Sequence, residues 1–187
     1  MSTKSHWEKI YSEKSPQEVS WTQETPTTSI EFFNDFKLSK ISPIIDVGGG
    51  ESKFVDYLLE NGYQNISVLD ISENAINKAK ERIGKKSENV DWIVCDINNF
   101  KPKQKYALWH DRAVLHFFTS KDQQLSYFNL LKKIVRKGGY VIFSEFGIDG
   151  AKKCCGLDIV NYSEKMLQDR LGEEFTLLES FNHQYNH

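Results

Sequence analysis

Short apolar runs alternate with longer amphipathic stretches from residue 43 onward. The apolar runs predict buried strands at 44–47, 66–70, 90–95, 106–109, 140–146 and 175–181. Apolar residues at helical spacing between these runs predict helices over 52–60, from 72 onward, over 122–135 and over 163–171. Strands that alternate with helices are typical of a mostly parallel sheet with helices on both faces, so we expect a three-layer α/β fold.

The first 40 residues depart from this alternating pattern. They carry Trp7, Tyr11 and Trp21 together with two of the four prolines, which indicates a helical and loop-like arm. The arm also holds a helix predicted over 27–38, and the α/β core is expected to occupy 41–187 as part of one domain. An arm of this kind could close over a ligand crevice as a lid.

Composition and charge narrow the classes of function. The chain has 24 Lys and Arg against 26 Asp and Glu, with no basic stripe, so we expect no nucleic-acid partner. It has no apolar run of membrane-spanning length, so we expect no membrane partner. Cys95, Cys154 and Cys155 lack the spacing of metal ligands, which predicts reduced thiols, no metal and a cytoplasmic location.

The segment 46–52 reads Asp-Val-Gly-Gly-Gly-Glu-Ser and lies between the first core strand and the first core helix. Gly48, Gly49 and Gly50 would let the backbone approach a ligand in the crevice where open α/β sheets bind ligands, although a plain tight turn is the alternative. A third glycine of the G-x-G-x-x-G pattern is missing, and Glu51 would repel a pyrophosphate. The segment therefore disfavours a nicotinamide cofactor and tolerates one that carries a sulfonium and an ammonium.

Acidic residues end or follow three neighbouring strands: Asp46, Asp70 and Asp96. Asp70 is placed to accept hydrogen bonds from both hydroxyls of a ribose, by the spacing logic of dinucleotide folds. Asp96 could accept the amino group of an adenine, with Ile71 and Ile97 on either side of the ring. A single aspartate at a strand end is often only a cap, but three in register favour a nucleoside site.

These motifs resemble the class I, seven-strand methyltransferases of Rossmann-like fold, over residues 1–181. The chain is also similar to a small bacterial subgroup of that family through three segments: His6-Trp7-Glu8, Ser20-Trp21-Thr22-Gln23 and Trp109-His110-Asp111-Arg112-Ala113-Val114. The resemblance implies S-adenosylmethionine (SAM) as the methyl donor and S-adenosylhomocysteine (SAH) as the product. Only seven residues follow Ser180, so we expect the family's final antiparallel strand to be absent from this chain.

The resemblance places residues 109–112 near the transferable methyl group. His110 could contact the cofactor and act as a base, Asp111 could orient His110 or hold Arg112, and Arg112 could bind a carboxylate acceptor. The alternative is that Asp111 and Arg112 form a structural pair. The aromatic faces of Tyr11 and Trp21 suit a sulfonium, although they could equally anchor the arm.

The function expected from these features is methyl transfer from SAM to an acceptor by in-line displacement, with a small molecule favoured as the acceptor. One alternative is a protein methyltransferase that acts on lysine. A second alternative is a homologue that binds SAM or SAH without catalysis. His116, which lies among apolar residues, is interpreted as a packed histidine, and Cys154 or Cys155 could border the acceptor pocket.

Overall fold

The computed structural model describes residues 3–13 and 25–182. Its helices are α1 (Thr3–Glu13), α2 (Thr27–Asp35), α3 (Phe54–Glu60), α4 (Glu73–Ile83), α5 (Lys121–Ile134) and α6 (Glu164–Leu171). Its strands are β1 (Ile44–Val47), β2 (Ile66–Asp70), β3 (Val90–Val94), β4 (Tyr106–Arg112), β5 (Val135–Ser144), β6 (Lys153–Cys154) and β7 (Leu157–Asp158). The arm is helical over α1, as predicted.

Five strands form one parallel sheet in the order β3-β2-β1-β4-β5, and β6 and β7 form a separate antiparallel hairpin. The strand order reverses between β1 and β4, and ligands bind in open α/β sheets outside the carboxyl ends of the strands at such a point. The mostly parallel α/β fold with helices on both faces is therefore confirmed, and its crevice lies beside residues 47–50.

Alternation along β1 divides the core into two layers. Ile45 and Val47 belong to the cluster that includes Tyr127 of α5, whereas Ile44 belongs to the cluster with α2 and α3 on the other face. Successive side chains of a strand point to opposite faces, so one apolar strand supplies both layers. Full burial of an aliphatic side chain such as Ile44 contributes roughly 1.5–3 kcal/mol.

Serines begin three of the helices. Ser72, Ser120 and Ser163 each accept a hydrogen bond from the backbone N–H three residues later, at 3.2 Å in every case. Such caps satisfy one of the unpaired donors of a helix N-terminus and stabilise by about 1 kcal/mol each. The cap predicted at Ser72 is confirmed, and it fixes where α4 leaves the sheet edge.

The junction between α5 and β5 differs from the sequence-based expectation. The strand begins at Val135 rather than at residue 140, because Val135 already pairs with Tyr106 of β4 directly after α5 ends at Ile134. The pairing then shifts to Leu108 with Tyr140, so residues 136–139 form a bulge inside one long strand. Gly138 and Gly139 lie within this bulge.

The strand predicted over 175–181 is wrong. This segment is irregular, and the exposed fractions of Leu177 and Leu178 are 43% and 67%. Its apolar residues suit a strand, but no described strand pairs with its backbone, and an extended segment becomes a strand only through such pairing. The described sheet therefore has five strands, and the family's antiparallel strand is absent from it.

Across the described ranges, no helix is both long enough and apolar enough to cross a lipid bilayer.

Gly138→Ala tests the bulge. Gly138 has φ +73° and nothing lies within 4 Å of an added Cβ, so the penalty is one of backbone conformation alone. We expect the free energy of unfolding to fall by about 1–2 kcal/mol in urea titrations. Gly147→Ala is the matched control, because that site is equally open and lacks a positive φ. Equal stability of the two variants would contradict the strained bulge.

Candidate functional site

The loop after β1 is packed so closely that it requires glycine at three positions. Gly48 has φ +67°, its N–H donates to the Leu69 carbonyl at 2.7 Å, and an added Cβ would lie 2.1 Å from Val114. A Cβ on Gly49 would lie 2.4 Å from Oδ2 of Asp46, and one on Gly50 would lie 2.5 Å from the Cβ of Ala75. Contacts within the protein are enough to explain why these three positions are glycine. Because glycine has no side chain, the backbone of the loop is also left uncovered on the side of the crevice.

A buried hydrogen-bonded chain supports this loop. Oδ1 of Asp46 lies 2.7 Å from Nδ1 of His110, and Nε2 of His110 lies 2.8 Å from the hydroxyl of Ser29. All three side chains are at least 97% buried, and the ring of Phe54 lies 4.3 Å from the imidazole. His110 therefore lies under the loop with both nitrogens engaged. Oδ2 of Asp46 is buried without a hydrogen-bond partner in the described part of the chain.

Asp70 accepts two backbone hydrogen bonds at the end of β2. Gly50 N–H donates to Oδ2 at 3.0 Å and Ser72 N–H donates to Oδ1 at 2.8 Å. Burial raises the pKa of Asp70 to about 6, although these two hydrogen bonds oppose the rise. The carboxylate is held in one orientation at the end of β2, and each oxygen keeps further acceptor capacity.

A cavity of about 630 Å³ lies between α1 and the ends of β2 and β3. Its lining comprises two residues of α1 and five from the strand ends and the loops beyond them: Thr3, Lys4, Ile71, Val94, Cys95, Asp96 and Asn99. Asp96 directs Oδ1 to the N–H of Asn98 at 2.9 Å. The predicted neighbours Ile71 and Asp96 thus share one cavity, whereas Ile97 is 96% buried in the core and is not part of its lining.

The arm is anchored to the crevice by Glu8, a residue that sequence reasoning did not single out on its own. Its carboxylate accepts hydrogen bonds from Ser72 Oγ at 3.1 Å, Glu73 N–H at 2.7 Å and Asn74 N–H at 3.2 Å. These groups form the N-terminus of α4, whose positive end attracts an anion. In the sequence, Glu8 stood out only as part of His6-Trp7-Glu8, one of the segments through which the chain resembles a family.

Aromatic contacts bring the same arm to the loop after β4. The ring of Trp7 lies 5.0 Å from that of Phe117 in an edge-to-face arrangement. Tyr11 is buried, with its ring 6.2 Å from that of Trp7. The burial of Tyr11 fits the anchoring alternative, and its contact with a sulfonium stays a prediction. Trp21 and Gln23 lie outside the described residues.

The expectation that Asp111 orients His110 is wrong. The two residues are consecutive on β4, so their side chains point to opposite faces of the sheet. Asp111 accepts hydrogen bonds from the Tyr127 hydroxyl and from the N–H of Val114, and burial with the nearby Glu145 raises its pKa well above the usual range. Arg112 ends β4 and is half-buried at the sheet edge.

Within 3–13 and 25–182, no three His, Cys, Asp or Glu side chains are grouped so as to hold a metal ion. What the site offers instead is a glycine loop, three carboxylates at neighbouring strand ends and a cavity covered by a helix. Such a cavity falls within the size range of small-molecule and cofactor pockets, about 300–1,000 Å³.

Comparisons with known proteins agree with this geometry. A family model described as a methyltransferase domain matches residues 38–183. Malonyl-[acyl-carrier protein] O-methyltransferase 2 of Ilyobacter polytropus is 35% identical over 107 residues, which make up 57% of this chain and 40% of that protein. The chain thus spans less than half the length of that relative. EEF1A lysine methyltransferase 2 of Mus musculus is 20% identical, with coverage of 96% of this chain and 74% of that protein.

A solved structure similar to this chain is the DhpI–SAM–HEP complex. The two agree with a TM-score of 0.68 at 15% identity, and the match covers 89% of this chain and 84% of that chain. At this identity the likeness shows a shared fold alone.

Tyr127→Phe tests whether Asp111 has a structural role. The Tyr127 hydroxyl donates to Asp111 and accepts from the indole N–H of Trp109 at 3.0 Å, all within the core. Its removal leaves buried polar groups unpaired, so we expect a loss of about 1–3 kcal/mol in the free energy of unfolding. The control Tyr57→Phe removes an exposed hydrogen bond to Asn34 and is expected to change stability by less than about 0.5 kcal/mol. A neutral Tyr127→Phe would argue against this role.

Glu8→Ala tests the anchor of the arm. The loss of three hydrogen bonds at the N-terminus of α4 is expected to cost about 1 kcal/mol in docking free energy. Backbone amides of residues 3–13 should then exchange hydrogen about fivefold to tenfold faster by mass spectrometry. Glu13→Ala is the control, since within the described residues Glu13 forms an exposed ion pair with Lys9 at 3.9 Å and is not bonded to α4. Unchanged exchange in Glu8→Ala would show that other contacts hold α1.

Proposed function

Because the chain belongs to the family of methyltransferase domains, we propose that it transfers a methyl group from SAM to a small-molecule acceptor. The observation that carries the proposal is the cavity that α1, Ile71 and Asp96 line at the ends of two adjacent parallel strands, with Asp70 next to Ile71 in the chain. The match of the family model supports the reaction class, and the cavity would accommodate the nucleoside.

The residues around the cavity fit the chemical groups of SAM. Asp70 would accept the ribose hydroxyls with the capacity left by its two backbone bonds, and Asp96 would accept the adenine amino group. Ile71 would pack against the adenine ring, since it lines the same cavity. The unpaired Oδ2 of Asp46 suits a cationic donor such as the ammonium of the methionyl group.

When bound, SAM would supply an electrophilic methyl group on a sulfonium. The chain's own contribution is to orient the acceptor and to exclude water. Glu8 and Trp7 hold α1 over the crevice, which supports a lid role for the arm. The full burial of His110 supports a positioning role, in which its imidazole holds Asp46 under the glycine loop and moves no proton to or from the acceptor.

A carboxylate is the acceptor class that we favour among small molecules. The name of the Ilyobacter polytropus relative indicates O-methylation of a malonyl group, and Arg112 stands at the end of β4, beside the crevice. A guanidinium can bind a carboxylate through two parallel hydrogen bonds.

A protein lysine is the second candidate acceptor, and the similarity to EEF1A lysine methyltransferase 2 over 96% of the chain favours it. Methyl-labelled SAM incubated with a fractionated cell extract would separate the classes. Acid-soluble label that mild base releases as methanol indicates a small carboxylate ester. Base-stable label in the protein fraction indicates lysine. Tight SAH binding without any transfer would identify a non-enzymatic cofactor binder.

Asp70→Asn tests the cofactor site by calorimetric titration with SAH. An amide replaces one acceptor oxygen with a donor that faces a backbone N–H, so we expect affinity to fall about tenfold to a hundredfold. Asp91→Asn, which alters an exposed acid on β3, should bind as the wild type does. Equal affinity of all three proteins would exclude the ribose contact.

The pH dependence of wild-type binding follows from the same residue. Burial raises the pKa of Asp70 from 3.8 to about 6, so folding favours the protonated form and ionisation lowers stability as pH rises through this range. The ionised form, however, is the better acceptor for ribose hydroxyls. SAH affinity should therefore weaken as pH falls below about 6, while Asp70→Asn should show no such dependence. A flat wild-type profile would contradict this assignment.

A further inference from the structure

The loops after β4 and β5 bring four reactive or charged side chains together outside the cavity described above. Nδ1 of His116 lies 2.6 Å from Oε2 of Glu145, and Sγ of Cys154 lies 3.4 Å from Sγ of Cys155. A backbone hydrogen bond of 2.8 Å from Val160 N–H to the His116 carbonyl joins the two loops. We refer to Glu145, His116, Cys154 and Cys155 as the thiol cluster.

The surroundings of His116 favour its protonated form. Its side chain is fully buried, as the packed interpretation predicts, but it is also ion-paired with Glu145. Burial alone would lower its pKa, yet the contacts with Cys154 and Glu145, and the charge of Asp111, raise that pKa to about 9. Nε2 has no hydrogen-bond partner of good geometry in the described part of the chain, so one donor of the imidazolium is left for an anion.

Cys154 is the thiol whose protonation this histidine favours least. The thiol of Cys155 and then the imidazolium of His116 lower the pKa of Cys154 to about 5, against the effect of burial. A cysteine beside a protonated histidine carries a nucleophilic thiolate at neutral pH. Cys95 provides the contrast, because burial and Asp96 raise the pKa of its thiol and its Sγ donates to a carbonyl at 3.1 Å.

The backbone presents the two sulfurs at a tight turn. Cys155 has φ +54° and Gly156 has φ +79°, which is the conformation of a two-residue hairpin turn between β6 and β7. Both cysteine side chains are half-exposed at this turn. Their sulfurs are 3.4 Å apart, well beyond the roughly 2.05 Å of a disulfide bond, so the described state is the dithiol.

The geometry points to Cys154 as a reversible covalent modification site that takes low-molecular-weight disulfides, with His116 and Cys155 holding its thiolate. In the step, the Cys154 thiolate attacks one sulfur of the disulfide. A mixed disulfide forms at Cys154, the original sulfur–sulfur bond breaks, and the departing thiolate takes a proton from water. The incoming disulfide is the oxidant and is reduced to one thiol plus the bound half.

The same electrostatics make the modification reversible. A thiolate of low pKa is a good leaving group, so an external thiol would remove the adduct readily. Modification would also remove the negative charge that faces His116, while the ion pair with Glu145 remains. This inference rests on the thiol cluster and not on methyl transfer, so its test needs no acceptor.

The first experiment measures alkylation of folded protein by iodoacetamide across pH 4–10, with each cysteine followed by peptide mass spectrometry. The midpoint, not the absolute rate, is the readout, because a low pKa also lowers intrinsic nucleophilicity. We expect a midpoint near pH 5 for Cys154 and an ordinary or higher value for Cys95, against about 8.5 for a free cysteine. A wild-type midpoint for Cys154 above pH 8 would overturn the proposal.

Variants of the thiol cluster test which side chains lower the midpoint of Cys154. His116→Gln should move the Cys154 midpoint up toward 8.5, and Cys155→Ala should move it up as well, whereas Cys155→Ser keeps a donor and should leave it low. Glu145→Gln offers the same test without altering the ring, since it weakens the charge on His116. An unchanged midpoint in folded Glu145→Gln and Cys155→Ala would show that the cluster does not hold the thiolate.

The second experiment supplies glutathione disulfide at pH 7 to the Cys155→Ser protein, in which the neighbouring thiol cannot displace the adduct. We expect one adduct per chain, located at residue 154, and its complete removal by a small thiol. Cys154→Ser should acquire none. An adduct chiefly at Cys95, or none at all on reduced protein, would refute the site.

Discussion

The parallel pairing of β1 with both β2 and β4 is the constraint on which the rest of the structure depends. It brings the carboxyl ends of three strands to one edge, so that Asp46, Asp70 and residues 110–112 arrive there together. The hydrogen bond from Gly50 to Asp70 then ties the loop after β1 to the end of β2. Sheet register, not sequence proximity, is therefore what assembles the crevice.

Much of this arrangement could be predicted from the chain alone. Apolar runs located the five paired strands, and the three aspartates marked the ends of three of them. Both features are visible in the sequence because they depend on neighbouring residues in the chain. The failures were of another kind. Leu177 and Leu178 belong to a short apolar run of the kind that predicts a strand, but pairing depends on a neighbour that no local pattern reveals. The bulge at 136–139 depends in the same way on the register with β4.

The site residues followed the same division. The tandem of His110 and Asp111 invited a catalytic interpretation, yet the two side chains belong to different layers and have different partners, Asp46 and Tyr127. Glu8 and Glu145 were missed because their partners lie 64 and 29 residues away in sequence. Spacing arguments work for residues on one strand end and fail for contacts that only the tertiary fold creates.

Buried ionisable groups occupy both sides of β4 and require compensation. His110 and Asp46 form one pair with Ser29, while His116 and Glu145 form another beside Cys154. Taking such charges from water costs several kcal/mol per ion, and close partners with hydrogen bonds offset that cost. Polar groups at the crevice therefore lower the stability of the fold relative to an all-apolar core. An all-apolar core, however, would offer a ligand no hydrogen-bonding groups.

The anchor of α1 has a kinetic consequence. Thr3 and Lys4 line the cavity while Glu8 bonds the N-terminus of α4, so the helix that completes the pocket also covers it. If a nucleoside occupies this cavity, opening of these contacts would release α1 and widen the way in and out. Exchange of spent for fresh cofactor would then respond to substitutions in the arm, at a distance from the residues that hold the ligand.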